Sequence, residues 1–578
     1  MSDGKVRFQL WAPSAPRELA LEIEGMAPIA LAPDEQGFAC VDVACQPGAR
    51  YRYRLGPDLA VPDPASRLQD GDVHDASVVV SPLGYAWRHP QWRGRPWEES
   101  VIYEVHAGLA GGFKGLQARL PELAELGVTM VELMPIADFP GRRNWGYDGV
   151  LPFAPDTAYG TPEALKELVD TAHGLGMGMM LDVVYNHFGP DGNYLPQFAR
   201  PFFREDIRTP WGAAIDFRQP AVRRYFQENA LYWLSEFRFD GLRLDAVHAI
   251  ADHGWLPELA GWLREQLPGR YVHLVLENDA NAARLLEQGY DAQWNDDAHH
   301  VVHHLLTGET RGYYGSYAQR PAEALARALA QGYVYQGEPS PHHGGEPRGE
   351  PSAHLPPTSF VFFLQNHDQV GNRAQGERLS MLVEQDKRLR AAVALQLLCP
   401  HIPLVFMGEE DGSREPFLYF TDHQDPALAQ AVREGRRAEF KGFYAGTEQG
   451  PQVPDPNAES TYRDSFPWHD ARQSRLWRPY YQQLLRLRHE CLSARLAGCG
   501  SAGAQALGSH SVMARWYLAD GAMLTVYANL GAAAISVAAR HLDEAHGPLL
   551  FESEAGARQT LCEGMLLPGA IWTLQERL

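Results

Sequence analysis

The sequence predicts an α/β protein in which a (β/α)8 barrel, the TIM-barrel architecture, lies between an immunoglobulin-like N-terminal β-sandwich and a second, C-terminal β-sandwich. Three observations predict it. Residues 1–97 alternate short apolar and polar runs between Pro- and Gly-containing turns, the period-2 pattern of half-buried strands. From 98 to 492, short apolar runs alternate with helical periodicity, the pattern of βα units around a buried parallel sheet. After 493 the chain becomes Ala- and Gly-rich and returns to short strands. A length of 578 residues suits such an assembly, since ~150 residues is ordinary for one domain and a barrel runs larger.

Taken in order, the first domain carries runs such as 6–11 and 51–55, and ends in a proline-rich stretch, 61–67, that cannot be a central strand and is expected to wrap onto the next domain. Eight barrel strands are expected at 101–105, 128–133, 177–184, 241–245, 271–276, 291–294, 358–364 and 402–407. The helices between them are punctuated. One has Thr161 as N-cap, Pro162 in its first position, Leu165, Leu168 and Val169 turned inward, and Gly174 after its end. Another starts at Pro220 and carries Val222, Tyr225, Phe226, Trp233, Leu234 and Phe237 at helical spacing. Insertions at about 186–218, 332–357 and 411–470 are longer than ordinary loops and are read as functional, although His342 and His343 are read as a flexible insert and not as a metal site. A last helix is expected at about 475–489, before short strands that include 523–527 and 570–574.

Composition narrows the function. With 72 acidic against 51 basic residues the net charge is −21, which disfavours nucleic acid and anionic membranes and favours a neutral or cationic ligand. Aromatic residues make up 11% of the chain, enough to offer flat surfaces for stacking. Six cysteines without a CxxC pair argue against zinc or a disulfide framework. No leader pattern or apolar run of ~18 residues is found, so the chain reads as a soluble cytoplasmic protein.

Chemistry in a barrel of this kind is placed at the C-terminal ends of the strands. The third strand ends with Asp182 and runs on to Asn186 and His187, the fourth ends with Arg243 and Asp245, the fifth with Glu277, and the seventh with His367 and Asp368. Arg243 and Asp245 are two apart on a strand and share a face, so the guanidinium can keep the carboxylate ionised. Glu277 follows the apolar pair 275–276, where desolvation raises a carboxyl pKa. One ionised and one protonated carboxyl flanking a bond is the arrangement that glycosidic cleavage needs.

The segments DVVYNH (182–187), GLRLDAVH (241–248), LEN (276–278) and NHD (366–368), in that order, resemble the four motifs of the α-amylase family of glycoside hydrolases. The resemblance implies that Asp245 is the nucleophile, Glu277 the general acid/base and Asp368 the third carboxylate, which grips sugar hydroxyls. It implies sugar or nucleophile contacts for Arg243, His187 and His367, a stacking surface at Tyr147, and an orienting role for Asp182 toward Arg243. Many members hold calcium partly through a histidine four residues after the nucleophile; here that place is Ala249, with His248 one earlier, so neither a metal nor a cofactor is expected.

Further stretches are similar to the maltooligosyltrehalose trehalohydrolases of that family: 61–67, 294–300, 366–373, 417–423 and 434–440. The likeness covers residues 6 to about 490 and implies retaining hydrolysis of the α-1,4 bond beside a terminal trehalose. The N-terminal sandwich would then resemble a carbohydrate-binding module. Partners implied are maltooligosyltrehalose and other α-glucan oligosaccharides, with a functional link to the synthase that makes the substrate. Trehalose has no reducing end, so its second glucose must be read by side chains on the leaving-group side. Asp297, Asp422 and His423 are candidates, together with Asp296, Glu410 and Asp411. The competing readings are a glycogen branching or debranching enzyme of the same family, and a catalytically silent carbohydrate-binding protein.

Overall fold

The computed structural model describes residues 4–82, 84–441, 453–468 and 471–576. Eight parallel strands close into a barrel: β1 (Ile102–Val105), β2 (Met130–Leu133), β3 (Gly178–Val183), β4 (Gly241–Leu244), β5 (His273–Leu276), β6 (Ala292–Trp294), β7 (Phe360–Phe363) and β8 (Ile402–Phe406). Each coincides with an expected run, trimmed by one or two residues at the ends. Every residue of these strands is buried, because helices cover the outside and side chains fill the inside. Ile102, Met130, Met180, Val275, Val361 and Leu404 form part of an interior core at the lower end. Two residues further along, the inward positions turn polar: Glu104, Glu132, Asp182 and Arg243. The strand period of two therefore stacks an apolar floor under a charged layer that opens to the mouth.

Helix α1 (Pro162–Gly174) starts as expected, with the Thr161 hydroxyl accepting the Ala164 N–H at 3.2 Å, but Gly174 closes the helix and does not follow it. Helix α2 (Pro220–Ser235) leads into β4, and α3 (Asp296–Thr307) follows β6 directly. Helix α4 (Asp386–Leu398) precedes β8. The last long helix, α5 (Ala471–Leu487), begins earlier than expected and ends in a π turn whose Arg488, fully buried, donates to the carbonyls of Leu397, Cys399 and His401 at 3.0, 2.7 and 2.9 Å. That guanidinium satisfies carbonyls left open where α4 ends.

At the N-terminal end, the ladder of Lys5–Trp11 with Phe38–Ala44 faces a five-stranded sheet centred on Ala20–Ile23 and Arg50–Gly56. The stretch 61–67 straps this sandwich to the barrel. Asp63 accepts the Tyr51 hydroxyl at 3.0 Å, the Pro64 carbonyl accepts the hydroxyl of Tyr225 on α2 at 2.5 Å, and Arg67 lies over the Tyr232 ring. At the other end, strands from 500 to 575 make a five-stranded sheet with a two-stranded ladder on one face. The opposite face meets the barrel, where the Trp516 indole donates to the Leu329 carbonyl.

The insertions are partly regular. That at 186–218 forms a hairpin, Phe203–Thr209 with Gly212–Ile215, and that at 332–357 a short ladder of Glu338–Pro339 with Pro347–Arg348. Part of the third, 442–452 and 469–470, lies outside the described residues. Among the described residues no helix is long and apolar enough to cross a membrane, and no group of three or more His, Cys, Asp or Glu side chains is placed to hold a metal ion.

Candidate active site

The charged layer is organised by one guanidinium. Arg243 is 2% exposed, and its Nη1 donates to both oxygens of Asp182 at 2.9 and 2.8 Å and to Oδ1 of Asp245 at 2.8 Å. Its Nη2 lies 3.8 Å from Oε2 of Glu277, and its face rests 4.2 Å from the Trp294 ring centroid. Three carboxylates on three adjacent strands thus converge on a single cation. Asn186 adds a bond of 2.9 Å to Oδ2 of Asp245. Ala246 has a left-handed backbone, φ 40°, which is strained for a residue with a Cβ, and in this conformation its N–H donates to Oε2 of Glu277 at 2.5 Å.

These contacts separate the two carboxyls electrically. Burial would raise the pKa of Asp245, but Arg243, His187 and the Asn186 bond outweigh it and hold Asp245 below the usual aspartate range. Glu277 is pushed well above its usual value by burial, and the negative charges of Asp245, Asp296 and Asp368 add to that push against Arg243. Burial also lifts Asp182, to about 6, so it remains ionised at neutral pH beside Arg243.

The aromatic wall comes from the loop after β2. The Tyr147 hydroxyl donates to Oδ2 of Asp182 at 2.6 Å, and its ring stacks on that of His367 with centroids 4.9 Å apart. Gly146 makes this loop possible, because at φ 106° a Cβ would lie 2.0 Å from the Pro135 carbonyl oxygen. Asp368 is exposed at the mouth on the short helix His367–Gly371, and Asn372 donates to its Oδ1. Arg436 in turn bonds Asn372 and the Gly371 carbonyl, so the 434–440 segment supports the Asp368 turn from behind.

Asp245, Glu277, Asp368, Tyr147, Arg243 and His367 are therefore brought together. His187 joins them as a brace: its Nε2 lies 2.9 Å from the Tyr147 carbonyl, Nδ1 faces Asn186, and the ring stacks on Trp211 at 4.6 Å. The residues expected to read trehalose are placed otherwise. Asp297 is fully buried and accepts from Tyr317, Arg348, Asn281 and the N–H groups of Val334 and Tyr335. Asp422 accepts from Arg143 at 2.5 Å and from the Arg142 N–H at 2.9 Å, fixing the loop before Trp145. His423 is 4% exposed, and its backbone is bonded to Asn457. Glu410 and Asp411 belong to a network with Tyr103, Ser474 and Arg478. The acidic residue on the site side is Asp296, whose pKa is raised to about 7 by burial and by the charge of Asp368.

A model of the alpha amylase catalytic domain matches residues 67–201, and a domain of unknown function, DUF3459, matches 499–572. The chain is 40% identical over 482 residues to a malto-oligosyltrehalose trehalohydrolase of Saccharolobus solfataricus, covering 80% of this chain and 82% of that one. It is 41% identical over 503 residues to one from Deinococcus radiodurans, with 84% and 81% coverage. Among solved structures, a Salmonella typhimurium protein described as a candidate alpha amylase superposes with TM-score 0.91 at 41% identity, over 99% of this chain and 98% of that one. A pullulanase of Anoxybacillus shares the fold at TM-score 0.70 and 17% identity, over 99% and 86% of the chains.

Proposed function

The chain belongs to the malto-oligosyltrehalose trehalohydrolase family, and from that membership we infer that it hydrolyses the α-1,4-glucosidic bond beside the terminal trehalose of maltooligosyltrehalose, releasing trehalose and a maltooligosaccharide. What carries the mechanism is the convergence of Asp245 and Glu277 on Arg243, at 2.8 and 3.8 Å, with the Asp245 pKa lowered by that guanidinium and the Glu277 pKa raised by burial. Asp245 attacks the anomeric carbon. As that C–O bond forms, the bond to trehalose breaks and Glu277 gives its proton to the departing oxygen. Because Oε2 of Glu277 is occupied by the Ala246 N–H, the proton belongs on Oε1. Water then attacks the glycosyl-enzyme from the same face, returning its proton to Glu277 and releasing Asp245, so the configuration is retained. In this reading Asp368 binds hydroxyls of the same sugar and Tyr147 stacks beneath it.

In this reading 98–492 is the catalytic domain between two β-sandwich domains. The substrate must come from an enzyme that converts the reducing end of a maltooligosaccharide into a trehalose unit, which is the functional link to a synthase. A cytoplasmic location is supported by six free thiols. The test is incubation with maltooligosyltrehalose, maltohexaose and glycogen, with the anomers followed by NMR. Rapid trehalose release from the first, with α-configured product, is expected; new α-1,6 branches or no turnover would overturn the reading.

A further inference from the structure

One buried carboxylate beside the site has no part in the steps above: Glu104 on β1, 1% exposed. Both of its oxygens grip a single residue. Oε1 lies 2.5 Å from Nδ1 of His367, and Oε2 accepts the His367 backbone N–H at 3.0 Å. The ring is fixed on its other sides by the stacked Tyr147 and by Trp145, which meets it edge-on at 5.5 Å. With Nδ1 engaged, Nε2 is the remaining ring nitrogen, and among the described residues it has no hydrogen-bond partner.

We propose that Glu104 is a positioning residue that holds His367 as an imidazolium, so that Nε2–H donates to a hydroxyl of the glucose unit held over Asp245. The inference rests on the hydrolase reading of the site. A ring protonated on Nδ1 alone would offer Nε2 only as an acceptor, whereas the doubly protonated ring offers a fixed donor beside the charge that develops on the sugar. Burial and Arg243 on β4 oppose the charged ring. Glu104 and Asp368 outweigh them, and the net pKa of His367 is raised. The other facing groups leave that balance intact. Asp182 on β3 and Asp245 are both occupied with Arg243. Burial pushes the carboxyl of Glu132, opposite Glu104 on β2, and the hydroxyl of Tyr147 well above their usual values, toward the neutral forms. His106, just beyond β1, is neutral because burial brings it down to about 4.

Hydrogen exchange at histidine Cε1, read by mass spectrometry, follows single rings without turnover. In the native enzyme the His367 midpoint is expected above the unperturbed value of about 6.5. In Glu104→Gln it should fall by at least about one pH unit, a tenfold change in proton affinity. Placed in a His367→Gln background, Glu104→Gln should add less than about a twofold loss, because both changes act through one ring. A native midpoint at or below 6.5 would overturn the proposal even if the variant failed to fold, and so would a variant whose midpoint does not move. Absence of trehalose release would refute the hydrolase reading by itself, while the ring titration judges the Glu104–His367 couple separately.

Discussion

Arg243 on β4 and Asp245, the residue just past its end, are joined at 2.8 Å, and the same nitrogen of Arg243 also holds Asp182. The pair is the electrical reason that Asp245 is ionised. A lysine at 243 would keep one positive charge but would lack both the second nitrogen that faces Glu277 and the planar face that rests on Trp294. In Arg243→Lys the depressed pKa of Asp245 should climb back toward its ordinary value. A depressed carboxylate loses its proton at low pH and regains it only as the pH falls through the folded pKa, so the acid limb of kcat/KM should move to higher pH. Activity at the optimum should fall on the order of 10²-fold. An acid limb that stays in place would mean that Asp245 does not depend on Arg243 for its charge.

Glu277 has the opposite requirement, and burial together with the neighbouring carboxylates raises its pKa toward that of an acid that can still give a proton. The alkaline fall in activity should then report its ionisation, and Glu277→Gln should lower turnover of maltooligosyltrehalose by about 10²–10⁴-fold. A substrate whose leaving group needs no proton, such as an α-maltosyl fluoride, separates the roles. With it, Glu277→Gln should still release fluoride in a burst and lose the alkaline limb, whereas Asp245→Ala should release none. Equal impairment of both variants on the fluoride would remove the acid role from Glu277.

Much of this site was legible in the sequence because it lies on strands, where a period of two decides which residues share a face. Asp182, Arg243, Asp245 and Glu277 fall at or just past the ends of apolar runs, whereas the roles of Asp245, Glu277 and Asp368 are legible only through the family resemblance. The rule stops at Trp294: Asp296 and Asp297 both lie in the first turn of α3, so strand alternation does not choose between them. Asp422, His423, Glu410 and Asp411 were harder. They belong to irregular segments whose partners are remote in sequence, as with Asp422 and Arg143, and no local pattern states whether such a carboxylate faces ligand or protein. Glu104 and Glu132 are hidden in the sequence for a different reason: in apolar runs of five and six residues they read as strand, and only closure of the barrel turns them inward.

Glu132 is 1% exposed and neither of its carboxyl oxygens has a partner. Burial holds its pKa well above the usual glutamate value, with Glu104 and Asp182 adding to the effect. A carboxyl whose folded pKa is raised supports folding fully below its unfolded pKa and withdraws that support as pH rises toward the folded value. Glu132→Met, similar in volume and without polar oxygens, should therefore be more stable than the native chain at pH 8 by about 1–3 kcal/mol, with a smaller gain at pH 5. Urea midpoints at the two pH values measure the difference. A gain that does not grow with pH would mean that the carboxyl is solvated or bonded in solution.

Asp297 offers the sharpest contrast between a substrate-reading residue and a structural one. Its carboxylate collects two side-chain donors on one oxygen, Tyr317 at 2.5 Å and Arg348 at 2.6 Å, and three donors on the other, Asn281 and two backbone N–H groups. These donors come from four separate segments, so the charge ties the 332–357 insertion and the turn after β5 to α3. Asp297→Asn keeps the shape but removes the charge, leaves Arg348 buried with only Asp279 beside it, and turns an amide N–H toward donors. Breaking a buried pair in this way costs about 3–5 kcal/mol, so the denaturant midpoint should fall markedly. Because no oxygen of Asp297 is open to ligand, kcat/KM for maltooligosyltrehalose measured well below the new transition should stay within about threefold of native, a change of less than 1 kcal/mol. A selective rise in KM for maltooligosyltrehalose, with the denaturant midpoint unchanged, would return Asp297 to the substrate site.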